Sequence, residues 1–313
     1  DAQWLGRLKS TEKTKKDVGT IPIPFDQPEI PYTALYLLGL LKKIKKIGTS
    51  LLDIWEPGTN IIDTSKLQLS NKKTEVYLFS PFTSNYSFAK KCLNEIKNYN
   101  NKAKCIIGGH HASYCAEECL SDGFDYVVIG RGEKALMQLA SSSWYSDTKI
   151  IRGDDGTKDE QLLWQETLPA YELLPDRYKQ AYYARLFTTH GCPFQCVFCS
   201  NTVWHKKKPI FMKLNRVQKE FELIRSNISF KEIYVNDENF TIREDHFKPL
   251  SKYLFEQKVS WGCETRIDKI DRKKLKFLSE MGCKEIDYGL ESLDQNVLEI
   301  AKKGISTEDA YRI

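Results

Sequence analysis

The chain has 313 residues, of which 41% are hydrophobic and 28% are charged, and its formal net charge is +5. This composition is typical of a folded globular protein and excludes a disordered or collagen-like chain. The longest apolar run, Leu35 to Leu41, is far shorter than the roughly 20 residues of a membrane-spanning helix, and no signal peptide opens the sequence. We therefore expect a cytoplasmic protein that does not contact a membrane.

The first part of the chain predicts a parallel sheet. A lysine-rich tail at 1–18 precedes a domain at 19–140, in which strands and helices alternate. The predicted strands are 21–25, 51–55, 76–80, 105–107 and 126–129, and the predicted helices are 32–47, 86–99, 114–120 and 133–139. Such alternation indicates an α/β fold with a doubly wound, flavodoxin-like sheet. Its ligand would lie beyond the carboxyl ends of the strands, where the strand order reverses.

The second part of the chain predicts a βα barrel. Residues 141–183 contain a serine run and two prolines and are interpreted as a connector. The domain at 184–313 then carries strands 184–188, 232–235, 259–263 and 284–288, separated by helices 214–226, 246–257 and 272–281. This spacing is typical of a barrel. Since only four strands precede Ile313, and the first residue is Asp1 rather than Met, we expect a fragment that holds a partial (βα)6 barrel.

Three cysteines crowd together directly after a predicted strand. Cys192, Cys196 and Cys199 have the spacing C-x3-C-x2-C. Three thiolates can bind three irons of a 4Fe-4S cluster and leave the fourth iron open to a substrate. Structural zinc is the main alternative, but it needs a fourth ligand, which would have to come from Cys263, Cys283 or His205. Three unrelated buried cysteines are the remaining alternative.

The cysteine loop, with the aromatic Phe198 before its last cysteine, resembles the signature of the radical S-adenosylmethionine (SAM) superfamily. The resemblance implies that SAM binds the open iron through its amino and carboxylate groups. It also implies that an electron from the cluster cleaves SAM to a 5'-deoxyadenosyl radical. An electron donor such as flavodoxin or ferredoxin would then be a partner.

Further SAM contacts follow from the same resemblance. They are Phe198, Asp237, Glu238, Asn239, Glu264, Arg266, Glu291 and Lys303, which lie in the cysteine loop or at or after the ends of barrel strands. The segment 237–240 departs from the Gly-Gly-Glu-Pro turn of many members and is similar to the version found with cobalamin-type N-terminal domains. The alternatives are a solvated turn at 237–239 and an ordinary surface ion pair for Arg266 and Lys303.

Two glycine pairs in the first domain each join a strand to a helix. Gly108 and Gly109 precede His110, and Gly130 and Gly132 precede Glu133. Glycines let a bulky ligand approach the backbone closely. In this order, ahead of the cysteine loop, the six residues resemble the cobalamin (B12)-binding site of B12-dependent radical SAM enzymes. The chain lacks the sequence D-x-H-x2-G, so cobalamin would bind without that histidine as its lower ligand.

The neighbouring His111 is interpreted as a turn histidine that only forms hydrogen bonds. The basic run at 205–209 is interpreted as a solvated loop.

The predicted function is a radical SAM enzyme that uses cobalamin to methylate an unactivated carbon of a small molecule or peptide. One alternative is a radical SAM cyclase, rearrangement or oxidative enzyme that transfers no methyl group. Another alternative, from a different class, is a zinc-stabilised nucleic-acid-binding protein; we do not expect nucleic acid as a partner.

Overall fold

The computed structural model describes residues 30–44, 51, 76–153, 158–201 and 209–312. The predicted tail, the strand at 21–25, most of the strand at 51–55 and the basic residues at 205–208 therefore lie outside the described residues. Within those ranges, no helix is both long enough and apolar enough to cross a membrane.

The first domain is built on a parallel sheet with helices on both faces. Its elements are α1 (Tyr32–Leu41), β1 (Val76–Phe79), α2 (Tyr86–Tyr99), β2 (Lys104–Ile107), α3 (Gly109–Tyr114), α4 (Ala116–Ser121), β3 (Tyr126–Ile129), α5 (Glu133–Ser141) and β4 (Ile150–Arg152). The strand order is β1-β2-β3-β4, with every pair parallel. The predicted reversal of strand order is not among the described strands.

Side-chain alternation along the strands gives this sheet two cores, because successive residues of a strand point to opposite faces. Cys105 and Ile107 pack with Leu93 of α2, whereas Ile106 packs with Leu139 of α5. The predicted parallel sheet with helices on both faces is therefore confirmed, whereas the doubly wound strand order stays a prediction. Strand β4 was missed, because it is only three residues long and lies in the segment interpreted as a connector.

The second domain contains the four predicted strands in one sheet. Its elements are α6 (Lys158–Glu166), β5 (Gln180–Leu186), β6 (Thr189–His190), β7 (Ile210–Phe211), α7 (Leu214–Asn227), β8 (Ser229–Val235), α8 (Glu244–Glu256), β9 (Ser260–Thr265), α9 (Arg272–Glu280), β10 (Cys283–Tyr288), α10 (Gln295–Ile300) and α11 (Thr307–Arg312). The strand order is β5-β8-β9-β10, all parallel, and β6 pairs antiparallel with β7. Consecutive parallel strands, most of them separated by helices, are the pattern expected of part of a βα barrel.

The two faces of this sheet differ in chemistry. Leu186, Ile233 and Cys263 pack against the helices in the main apolar core. The residues between them in each strand point to the opposite face, which is polar. There the Tyr183 hydroxyl donates to Glu285 Oε2 at 3.1 Å, and Tyr234 bonds to Asp287. The polar face is therefore available for a ligand rather than for the helix core.

Helix α1 packs on the second domain, although it precedes the first sheet in the chain. The Ala170 amide donates to the Leu35 carbonyl at 2.9 Å. A Cβ at Gly39 would lie 2.0 Å from the Leu168 carbonyl oxygen, so only glycine permits this approach. Tyr36 stacks on Trp164 with ring centroids 4.4 Å apart. The segment interpreted as a connector is thus packed structure between α1 and the second sheet.

Candidate functional site

The three loop cysteines converge after β6. The Cys199 amide donates to the Cys196 carbonyl at 3.0 Å, which turns the chain between these two thiols. Burial raises the pKa of Cys192, and the charge of Cys199 raises it further. Burial likewise raises the pKa of Cys199, with a contribution from Cys196. The thiols are therefore near enough to influence one another, and this donor set fits a 4Fe-4S cluster with one open iron.

The cysteines proposed as extra zinc ligands lie elsewhere. Cys263 is fully buried in the helix-side core. Its pKa is raised well above the usual value, first by a hydrogen bond with Cys283 and then by burial. These two thiols are thus partners of each other in the core, and His205 lies outside the described residues.

Asp237 anchors the strand that enters the loop. Its Oδ1 accepts from the Thr188 amide at 2.7 Å and from the Thr189 amide at 2.8 Å, and its Oδ2 accepts from the Thr188 hydroxyl. Burial of this carboxyl raises its pKa to about 6. Both oxygens accept hydrogen bonds from the residues before the cysteine loop, so Asp237 holds the start of that loop in place; its predicted contact with SAM stays a prediction.

Glu238 and Asn239 lie at the cysteine loop. The Glu238 carboxylate accepts from the Gly191 amide at 3.2 Å and from Asn201 Nδ2 at 3.3 Å. Burial and then the neighbouring Asp237 raise its pKa to about 7. Asn239 Oδ1 accepts from the Thr265 hydroxyl at 2.9 Å.

Asn239 Nδ2 is buried and has no hydrogen-bond partner within the described part of the chain. A buried donor of this kind needs an acceptor. A SAM oxygen would supply one, so the turn fits the cofactor.

Arg266 reaches one of the three loop cysteines directly. It is only 4% exposed, and its Nη1 donates to Cys196 Sγ at 3.7 Å. Its Nη2 donates to the Lys303 carbonyl at 2.6 Å, and its Nε bonds Asp268 at 2.9 Å. The guanidinium carbon lies 3.8 Å from the centroid of the Phe194 ring. The surface ion-pair interpretation of Arg266 is therefore wrong, because the side chain is buried among the loop residues.

Lys303 also lies against the cysteine loop. It is 5% exposed, its Nζ donates to Glu291 Oε1 at 2.8 Å, and it lies 5.5 Å from the Phe198 ring centroid. The Val197 amide donates to the Ala301 carbonyl at 3.0 Å. The surface interpretation is wrong for Lys303 as well. The segment 301–303, about 100 residues further along the chain, is thus attached to the cysteine loop, and no local sequence signal predicts this contact.

Glu264 lies apart from these residues, on the polar face of the sheet. Burial and the nearby Asp287 raise its pKa, while Arg185 lowers it. It therefore contributes to the wall of the polar face rather than to the cysteine loop.

The glycine loops, residues 108–110 and 130–132, follow β2 and β3 at the carboxyl edge of the first sheet. A Cβ at Gly108 would meet only Val128, at an ordinary 3.6 Å, and a Cβ at Gly130 would meet nothing within 4 Å. Gly109 is different, since its φ is +88° and a Cβ there would lie 2.6 Å from Ser80 Oγ. The open space at Gly108 and Gly130 is a cradle that side chains would fill, and it fits a flat ligand such as cobalamin.

Ser113 joins the two glycine loops, a role that the sequence did not reveal. Its hydroxyl donates to the Gly109 carbonyl at 2.8 Å and accepts from the Gly130 amide at 3.0 Å. Three further residues were predicted to bind cobalamin. Gly132 precedes α5, and Glu133 is buried near Tyr36. His110 stacks on Phe82. Burial lowers the pKa of His110, which favours the neutral imidazole.

One contact and one charge interaction link the first domain to the cysteine loop. The Tyr114 hydroxyl is 3.4 Å from the Ser200 carbonyl oxygen. The buried Arg131, between the glycines of the second loop, lowers the pKa of Glu238 by its charge. The glycine loops and the cysteine loop are therefore neighbours.

Comparison with known families and structures agrees with this arrangement. Residues 30–140 match the B12 binding domain, and residues 186–313 match the radical SAM superfamily. The fold is similar to that of the radical SAM methyltransferase TsrM from Kitasatospora setae, solved with tryptophan substrate and a SAM analogue bound, with a TM-score of 0.67 at 17% identity. That match covers 91% of this chain and 62% of that one. The predicted α/β fold, with a B12-binding-type sheet before a radical SAM domain, is confirmed.

Curated relatives include a methyltransferase and a cyclase. An uncharacterised methyltransferase of Pyrococcus horikoshii is 27% identical over 233 residues, covering 68% of this chain and 51% of the relative. The anaerobic magnesium-protoporphyrin IX monomethyl ester cyclase of Cereibacter sphaeroides is 23% identical over 303 residues, covering 87% and 49%. The chain thus spans about half the length of these relatives.

The two matched domains confirm the predicted cofactors, which are a 4Fe-4S cluster, SAM and cobalamin. Neither match supports the zinc-stabilised nucleic-acid-binding alternative. Residues 186–313 belong to the radical SAM superfamily, and they follow a B12-binding domain at residues 30–140.

Proposed function

We propose that this chain is the cofactor-binding part of a cobalamin-dependent radical SAM methyltransferase that acts on an unactivated carbon of a small molecule or peptide. The proximity of the glycine loops to the cysteine loop, through Tyr114 and Ser200, carries the proposal. Methyl transfer to a carbon radical requires that the methyl donor and the radical source reach one substrate position. The two neighbouring cofactor loops meet that requirement.

Each loop has a defined task in this proposal. When bound, the cluster and SAM would supply the radical, and cobalamin would supply the methyl group. Cys192, Cys196 and Cys199 would hold the cluster. Asn239 and Glu238 would orient SAM beside it, and the open space at Gly108 would receive cobalamin.

The polar face of the second sheet would form part of the substrate cavity. The domain limits 19–140 and 184–313, with 141–183 between them, stay predictions. So does an electron donor of the flavodoxin or ferredoxin type.

Product analysis tests the reaction. A methylation that uses both cofactors consumes two SAM molecules per turnover, so S-adenosylhomocysteine and 5'-deoxyadenosine should accumulate in nearly equal amounts. The assay is an anaerobic reaction of the full-length protein, followed by liquid chromatography with mass detection. Deoxyadenosine without S-adenosylhomocysteine, at full cobalamin occupancy and with product formed, would exclude methyl transfer.

The cluster assignment is tested with matched cysteine variants. Reconstituted protein should contain about four irons per chain. Replacement of Cys192, Cys196 or Cys199 with Ala should abolish SAM cleavage, whereas Cys92→Ala, which changes a buried thiol of α2, should leave it intact. Retention of cleavage in the three loop variants would contradict the assignment.

The second candidate function is cyclisation or another radical reaction without methyl transfer. The similarity to a cyclase over 87% of this chain favours it. In that case deoxyadenosine accumulates alone or SAM is regenerated, so the product assay above distinguishes the two functions.

A further inference from the structure

The first domain holds a second set of metal-ligand side chains, outside the cofactor loops. His111, Cys115 and Glu118 place one nitrogen, one sulfur and one oxygen within 4.8 Å of one another. Their spacing of four and three residues puts them on one helical face. The backbone keeps a helical course across the junction of α3 and α4, because the Cys115 amide donates to the His111 carbonyl at 2.9 Å and the Cys119 amide donates to the Cys115 carbonyl at 3.0 Å.

The His111 ring is held in a fixed orientation. It is 3% exposed and stacks on Tyr86, with ring centroids 3.8 Å apart. Its Nδ1 lies 3.2 Å from the Thr83 hydroxyl oxygen. When Nδ1 carries the proton and donates it to Thr83, Nε2 presents its lone pair to the neighbouring side chains.

Nε2 has no hydrogen-bond partner in the described ranges of the chain, and it is buried. The nearest charged atom is Glu118 Oε2, at 3.9 Å. A bare imidazole nitrogen and a carboxylate oxygen are both acceptors, so they repel each other unless a cation lies between them. A buried polar atom without a partner also costs free energy. Both costs disappear when a positive ion occupies this position.

A proton on His111 would also supply a positive charge, but the 3.9 Å between Nε2 and Glu118 Oε2 is beyond hydrogen-bond distance, so protonation alone leaves the buried nitrogen without a partner. Cys115 completes a set of nitrogen, sulfur and oxygen donors, which suits zinc-like divalent ions in tetrahedral geometry with water as the fourth ligand. We propose that His111, Cys115 and Glu118 bind a divalent transition-metal ion of the zinc class. The sequence interpretation of His111 as a histidine that only forms hydrogen bonds is thereby revised.

The thiol chemistry agrees with this site. A thiol binds such an ion as the thiolate, so metal binding would release the thiol proton and the affinity should rise with pH. The site directly follows the first glycine loop, and Ser113, which joins the two glycine loops, lies between His111 and Cys115. A bound ion would therefore restrict the motion of the two glycine loops that form the cobalamin cradle.

The experiment uses the protein with its iron-sulfur cluster already assembled, because free cluster cysteines would themselves bind zinc. Anaerobic protein is incubated with Zn²⁺, passed through a desalting column, and analysed for zinc and iron by mass spectrometry. We expect one zinc per chain in the wild type. Cys115→Ala and Glu118→Gln should lower the zinc content at least tenfold at limiting metal, with the iron content unchanged.

Cys92→Ala is the matched control, because it removes a buried thiol of the same domain and should leave zinc binding intact. Co²⁺ gives a second measurement, since a thiolate-to-cobalt charge-transfer band should be present in the wild type and absent in Cys115→Ala. Absence of zinc from the wild type, or equal zinc in wild type and Cys115→Ala, would overturn the proposal. Neither result depends on SAM cleavage or methyl transfer, so the site is tested separately from the proposed function.

Discussion

Arg266 should set the reduction potential of the cluster. Its Nη1 donates to Cys196 Sγ at 3.7 Å, and its positive charge is buried. A donor and a cation beside a cluster thiolate favour the more negative, reduced state. Replacement of Arg266 with Met removes both and should lower the potential, which makes the cluster harder to reduce.

The size of the shift follows from the hydrogen bond. A bond to a charged group is worth about 1.5–3 kcal/mol, and about 1.4 kcal/mol corresponds to about 59 mV for a one-electron couple. Since 3.7 Å to sulfur is a long contact, the low end applies, and Arg266→Met should shift the potential by about 50–100 mV. Arg266→Lys keeps the charge without the guanidinium fork, so its shift should be smaller.

The assay is a redox titration followed by electron paramagnetic resonance, with iron content and circular dichroism to verify the cluster and the fold. Lys269→Met is the matched control. It removes a cation that lies 5.3 Å from the same Phe194 ring but has no described bond to a cluster cysteine. An unchanged potential in a folded, cluster-loaded Arg266→Met variant, or an equal shift in Lys269→Met, would refute the reasoning.

Three further predictions concern the cradle, a buried acid and a buried ion pair. Gly108→Val should abolish retention of hydroxocobalamin through gel filtration with iron content unchanged. The protein tolerates a side chain at this position, so the fold should persist while the valine fills the space that cobalamin needs. Unaltered retention would place the cobalamin site elsewhere. The pKa of Asp237 rises from 3.8 to about 6 on folding, so its charged form is disfavoured in the folded protein. The free energy of unfolding should therefore fall by about 3 kcal/mol as the pH rises from about 3 to about 7. Asp237→Asn should remove that part of the pH dependence in urea titrations, and an unchanged slope would contradict it. Glu220→Leu should destabilise the protein by about 3–5 kcal/mol because it leaves the Arg216 charge buried and unpaired. The double variant with Arg216→Met should recover most of that lost stability in the same urea titration. An equal loss of stability in the single and double variants would contradict the role of the ion pair.

Local sequence determined the features whose chemistry needs only neighbouring residues. The spacing of Cys192, Cys196 and Cys199 was sufficient to predict a loop with three neighbouring thiols, because three cysteines within eight residues must share one loop wherever the chain folds. Their binding of the cluster stays a prediction. The apolar strands predicted the two parallel sheets, since alternation of strands and helices leaves few other topologies. The glycine pairs predicted the cradle for the same local reason.

The tertiary structure alone decided how these parts are brought together. Only the family resemblance placed Arg266 and Lys303 near SAM, and their residue pattern allowed a surface ion pair as the alternative. They are buried because the segment after α10 returns to the cysteine loop. Helix α1 packs on the second domain through contacts with residues about 130 positions away. The free nitrogen of His111 became visible only when Tyr86 and Thr83 were placed around it. Burial and electrostatic environment depend on which distant segments meet, and residue spacing along the chain does not specify those meetings.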